Sequence, residues 1–106
     1  MASGDRGEYR LSPRALADLD EIWRYTAETW SIEQADRYVD GLVHTLEMIA
    51  TMPSLSRRLD EFDPPVRVHT YQRHLIVYTA DSHPVVVIRL LGGRQDWLSI
   101  LRAAEL

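Results

Sequence analysis

The apolar positions of this chain change their period along its length. From Pro13 they recur at helical spacing, at Leu16, Leu19, Ile22, Trp23, Thr26/Ala27 and Trp30, with Arg14, Asp18, Glu21 and Glu28 on the other face. Ser12-Pro13 opens this segment as an N-cap followed by proline at the first helical position, where its missing N–H costs nothing. "SIEQ" then restarts the pattern as a capping box, with Ser31 as N-cap and Gln34 reaching back. The second predicted helix runs to about Thr51, with Ala35, Tyr38/Val39, Leu42, Leu46 and Ile49/Ala50 as its stripe and Pro53 as its stop. Two helices with almost no linker fold back on each other as an αα-hairpin.

On both sides of the hairpin the period becomes two. "EYRLS" places Tyr9 and Leu11 on one face of a short strand; "VRVHTY", "HLIVYTA" and "VVVIRLL" follow the hairpin as an expected antiparallel meander, with "DSHP" as a turn. "SLSRRLDEFDPP" reads as a loop holding at most a short helical turn, and "DWLSILRAAEL" as a short C-terminal helix after Gly92-Gly93. The expected fold class is therefore α+β: an N-terminal strand, then an antiparallel αα-hairpin packed on a small, mainly antiparallel sheet in the order β-α-α-β-β-β. Residues 1–8 are expected to be a flexible N-terminus and 9–106 a single domain, in keeping with a chain of 106 residues.

Register decides which side chains meet. A two-residue turn at Gln72-Arg73 sets Tyr71 opposite His74, His69 opposite Ile76 and Arg67 opposite Tyr78. Arg67, His69, Tyr71, His74 and Tyr78 then share one face, while Val66, Val68, Thr70, Leu75, Val77 and Thr79 share the other, which suits packing on the hairpin. Gln-Arg is a poor type I′ turn, because neither residue favours positive φ, and a three-residue loop would scatter the cluster. "VVVIRLL" is apolar on both faces except at Arg89. Either this strand is central with a covered second face, or a partner docks there.

Composition narrows the chemistry. There is no cysteine, which excludes disulfides, thiolate metal sites and a thiol nucleophile and fits a reducing compartment. All 12 cationic residues are arginine, so a lysine with a depressed pKa is excluded too. The polar start "MASGDRGE" does not read as a signal peptide, and no apolar run approaches the roughly 20 residues of a membrane span. A soluble, cytoplasmic protein without membrane contact is the expectation. The net charge of −4 is uneven: residues 1–54 carry five arginines against ten acids, whereas Pro64 to Gln95 carry four against one. That is weak support for nucleic-acid binding, and no direct sequence-specific nucleic-acid binding is expected.

Arg67, His69, Tyr71 and His74, with Arg89, are the residue types that could cleave RNA. A base would take the 2′-hydroxyl proton, an acid would protonate the leaving 5′-oxygen, and arginine would stabilise the phosphorane. The alternative is a solvated sheet face with ordinary cross-strand pairs. His44 and His83 have no partner at metal-ligand spacing, so neither a metal site nor a cofactor is expected. "LLGG" lacks the pattern of a phosphate-binding loop. The helical acids read as solvated faces, and Trp23, Trp30 and Tyr38 fall on apolar stripes.

The words "LSPRA-DL-EIW-Y" and "W-EQA-RY", followed by "RHLIVY" and "RLLGGRQDW", resemble in order and spacing the ParE-type toxins of the RelE/ParE toxin–antitoxin superfamily over roughly residues 9 to 98. The resemblance implies a compact toxin neutralised by a cognate, ParD-like or other antitoxin. ParE-like members are associated with poisoning DNA gyrase and RelE-like members with cutting mRNA on the ribosome. Where relatives commonly read His-Gly-Arg this chain has Gly92-Gly93-Arg94, so a position that is a catalytic histidine in several nuclease branches is here glycine. The leading expectation is a non-catalytic gyrase inhibitor touching its target through Arg73, His74, Arg94, Asp96 and Trp97, with Trp23 and Trp30 as antitoxin anchors. A ribosome-dependent endoribonuclease using Arg67, His69, Tyr71, His74 and Arg89, and an inert antitoxin-bound module, are the alternatives.

Overall fold

In the computed structural model, residues 8–103 are described. The loose N-terminus expected at 1–8 lies outside them except for Glu8, whose carbonyl accepts the Val85 N–H. The last three residues of the segment expected as a C-terminal helix, 104–106, lie outside them as well.

The elements in chain order are β1 (Tyr9–Leu11), α1 (Pro13–Thr29), α2 (Ile32–Thr51), β2 (Arg57–Leu59), β3 (Val66–Tyr71), β4 (His74–Thr79), β5 (Val85–Gly92) and α3 (Trp97–Ala103), with a 3₁₀ turn at Pro53–Leu55. Both hairpin helices start as their caps require: the Ser12 and Ser31 hydroxyls accept the N–H groups of Ala15 and Gln34. Each such cap is worth about 1 kcal/mol. The sheet has five strands in the order β1-β5-β4-β3-β2, with β1 parallel to β5 and the other pairs antiparallel. Strand β2 is an addition to the expected pattern. Its "RRL" has no alternation long enough to read, and it forms only by lying beside β3.

The β3–β4 register is the expected one, with Tyr71 opposite His74, His69 opposite Ile76 and Arg67 opposite Tyr78. Gln72 takes the left-handed φ of 51° that the two-residue turn demands. The faces, however, are exchanged. The hairpin packs on the face of Tyr71, Ile76 and Tyr78, burying them with Leu42, Leu46 and Ile49 of α2 and Ile22 of α1. Val66, Val68 and Val77 face the other way and are covered by α3 and by Phe62 of the β2–β3 loop. Polarity misleads here because Tyr78, wholly buried, satisfies its hydroxyl on the Pro53 carbonyl at 2.8 Å. An aromatic body with one polar end can fill a core when that end finds a partner.

The same arrangement accounts for "VVVIRLL". Val85, Val87 and Leu90 belong to the hairpin-side core, and Ile88 and Leu91 to the core under α3. A shift in register between Val77 and Tyr78 separates the two halves of the strand. The strand is covered on both faces from within the chain, which removes the need for a partner there.

Past Leu11 the outer edge of β5 has no strand beside it, and α1 supplies the missing partners. Ser12 donates its hydroxyl to the Ile88 carbonyl at 2.8 Å. Asp18 accepts the Leu90 N–H at 2.9 Å and also the Arg89 guanidinium, through Nε at 2.8 Å and Nη2 at 3.2 Å. Both side chains of this ion pair are nearly buried, at 12% exposure for Asp18 and 13% for Arg89. Removing one member leaves a charge and a backbone N–H without partners. Asp18→Ala is therefore expected to lower stability by about 3–5 kcal/mol in urea denaturation. Asp20→Ala, which breaks an exposed pair with Arg24, should cost under about 1 kcal/mol. Equal small losses would show that Asp18 does not hold the strand end.

A candidate binding rim at the end of the sheet

The residues expected as a catalytic face do not converge on an open surface. Arg67 donates Nη1 to the Ser56 carbonyl at 2.6 Å, and His69 Nδ1 shares a 2.7 Å hydrogen bond with the Ser56 hydroxyl. Both thus tether the segment leading into β2. Tyr71 lies across α2 at Gly41, where a Cβ would collide with its ring, and meets the Tyr38 ring edge-on at 5.3 Å. His74 Nδ1 shares a 2.7 Å hydrogen bond with Tyr38 Oη, and Arg89 is held by Asp18. Arg67 and His69 meet on Ser56, while Tyr71 and His74 meet at Tyr38, which sequence placed on the apolar stripe.

Tyr38 also accepts the Arg73 backbone N–H at 3.3 Å, which leaves its own hydrogen for His74 Nδ1. That arrangement suits a neutral imidazole. Burial, and secondarily the neighbouring Arg73, push the His74 pKa below its ordinary 6.5, with Asp18 opposing. Burial likewise raises the Tyr38 hydroxyl. This cluster is a joint between α2 and the β3–β4 turn.

The two turns at this end of the sheet are fastened to each other. The Gly93 N–H donates to the Arg73 carbonyl at 2.8 Å, and the Gly92 N–H donates to the Gln95 side-chain oxygen at 2.7 Å. A Cβ on Gly93 would sit 3.3 Å from the Arg73 carbonyl oxygen, so the glycine permits this approach. Arg73 and Arg94 thus stand on joined turns, both exposed and, among the described residues, in no ion pair. A groove of about 720 Å³ runs from this rim between α1 and the end of β5, bounded by Glu21, Tyr25, His74, Arg89 and Arg94.

Asp96 and Trp97 stand differently. Asp96 accepts from the Ser99 hydroxyl at 2.8 Å and the Ser99 N–H at 3.4 Å, so it caps α3 and makes no ion pair with Arg94. Trp97 is half-buried against the second core. Trp23 is half-buried, its indole N–H donating to Asp36 at 2.8 Å, whereas Trp30 is 66% exposed. Sequence reasoning passed over Tyr25, 67% exposed in the groove. Its spacing of seven from Asp18 was the available signal.

The chain has counterparts among known proteins. The family model for the "ParE toxin of type II toxin-antitoxin system, parDE" matches residues 9–97. Toxin ParE1 of Mycobacterium tuberculosis is 35% identical over 89 residues, 83% of this chain and 91% of its own length. Toxin ParE1 of Caulobacter vibrioides is 39% identical over 83 residues, 78% of this chain and 85% of its own. A solved chain of the chromosomal ParDE TA system from P. aeruginosa superposes with a TM-score of 0.70 at 17% identity, covering 82% of this chain and 96% of that one, which shows a shared fold. The chain is a small α+β protein of the toxin–antitoxin class. It belongs to the ParE toxin family.

The His74 joint makes stability depend on pH. Because the folded pKa is depressed, the unfolded chain binds the proton more readily, and stability falls as pH drops from 6.5 toward the folded value. In thermal melts between pH 7 and about pH 5, His74→Gln should flatten part of that loss. Parallel pH profiles for the two proteins would contradict the joint.

Proposed function

We propose that this ParE-family chain is a toxin that inhibits DNA gyrase by binding rather than by catalysis, and that a cognate antitoxin neutralises it in the cytoplasm. The observation that carries the reading is the contrast between the two sets of polar side chains. Arg67, His69, His74 and Arg89 each hold elements of the fold together, whereas Arg73 and Arg94 project from interlocked turns with their guanidinium groups free of carboxylates among the described residues. Two exposed arginines on joined turns, one of them lining a groove, suit recognition of acidic or carbonyl-rich protein surface, and arginine is prominent among residues that dominate such contacts.

In this reading Arg73 and Arg94 make the principal target contacts. His74 contributes through the groove wall, and Asp96 and Trp97 fix the turn's exit into α3. Trp23 and Trp30 anchor the antitoxin on the opposite flank of α1. Gyrase as the target rests on the family resemblance. The absence of lysine and the glycine at position 92 support binding over RNA cleavage.

Inducing the chain alone in a bacterium and pulse-labelling DNA and protein synthesis in parallel tests this. DNA synthesis should fall first, with cleaved or relaxed plasmid. Arg73→Ala/Arg94→Ala should relieve the arrest, losing about 1–3 kcal/mol of target affinity per residue while remaining folded. Protein synthesis stopping first over intact DNA would overturn the reading in favour of a ribosome-dependent nuclease. An unaffected cell that accumulates folded chain would favour an inert module.

A further inference from the structure

The groove beside the rim has walls of opposite charge. Its helical wall is one face of α1, where Asp18, Glu21, Tyr25 and Glu28 follow at intervals of three, four and three. At about 1.5 Å per residue this face extends about 15 Å. The other wall is the end of β5 with Arg94 on the turn after it, and buried Ile22, Leu90 and Leu91 reach the groove between the two walls. Asp18 and Arg89 spend their charges on each other, and Arg24 at the edge of the groove is held by Asp20. Glu21, Glu28 and Arg94 are exposed and, among the described residues, form no ion pair, although they border one cavity.

This division of charge selects an occupant. A nucleic acid, anionic along its length, would gain Arg94 and be set against both glutamates. A wholly acidic protein surface meets the same opposition, and a wholly basic one is repelled by Arg94 and Arg73. A segment carrying both signs satisfies both walls. Tyr25, 67% exposed between the two glutamates, adds a ring face on which a guanidinium or the stem of a lysine can lie.

We propose that the groove receives a segment of the target protein that presents arginine or lysine to Glu21 and Glu28 over the Tyr25 ring, and aspartate or glutamate to Arg94. The proposal deepens the functional reading above and rests on it in taking gyrase as the source of the segment. Glu21, Tyr25 and Glu28 are then specificity-determining contacts. They reject surfaces that the rim arginines alone would accept, because an acidic patch without a basic neighbour leaves both glutamates facing like charge.

The sign of the glutamate effect tests it. Binding of the full chain to purified gyrase is measured by biolayer interferometry for the unaltered chain and for variants whose thermal melts are unchanged. Glu21→Gln and Glu28→Gln should each weaken binding severalfold, and the double variant by about tenfold or more. Asp40→Asn removes one negative charge from an exposed position of α2 outside the groove and should bind as the unaltered chain does. Tyr25→Ala should weaken binding by about tenfold, and Tyr25→Phe, which keeps the ring, should restore most of it. Glutamate variants that bind gyrase as tightly as the unaltered chain, or more tightly, would overturn the proposal, and so would a loss matched by Asp40→Asn. If Arg73→Ala/Arg94→Ala still weakens binding in that case, the rim reading stands without the groove. A folded chain that binds no gyrase would overturn the proposal and the target assignment together.

Discussion

Strand β5 runs on to Gly92 after β1 has ended opposite Val87, and the carboxylate of Asp18 holds that unaccompanied stretch. One side chain from the second turn of α1 takes up an edge N–H and a guanidinium together, in a nearly dry setting. An open strand edge is otherwise a template for unwanted pairing. Closing it with a helix residue fixes the distance between α1 and the strand end, and with it the groove between them. The turn at Gly92-Gly93, and the Arg73 turn hydrogen-bonded to it, inherit their position from that bond.

The ion pair is one of a set of polar joints on the hairpin side of the sheet. Tyr38 with His74, Ser56 with Arg67 and His69, and Tyr78 with Pro53 each fasten a strand to the helical segment or to the chain leaving it. Buried polar groups are costly unless paired, so once they face a core their geometry is constrained. Side chains so constrained are poor candidates for moving protons on a substrate. Among the described residues the side chains of the rim arginines and of exposed Leu16 and Trp30 have no such internal duty, which sets a held interior apart from outward surfaces on opposite flanks of α1.

Much of this was legible in the chain. The serine caps, the hairpin, the meander and even the register of β3 on β4 follow from local pattern and turn length. Three features did not. β2 exists only through its pairing with β3. The faces of the meander could not be assigned by polarity, because His74 and Tyr78 carry polar atoms that Tyr38 and the Pro53 carbonyl satisfy, and Tyr71 lies against Gly41 of α2. The exposure of Leu16 and Trp30 was hidden as well, since a helix stripe wider than the core it meets reads the same as one that fits it. On the site, the ordering of words and the double glycine pointed to the end of the sheet where the Arg73 and Arg94 turns meet. The hydrogen bond from Gly93 to Arg73, which makes one rim of two turns, has no signature in either segment alone.

The most direct measurement is hydrogen–deuterium exchange of this chain with and without purified DNA gyrase. The account predicts new protection in the segments around Tyr71–Leu75 and Gly92–Trp97, and none around Arg67 and His69 nearer the start of β3. Protection centred on Arg67 and His69 with the rim unchanged, or no complex with gyrase at all, would contradict it.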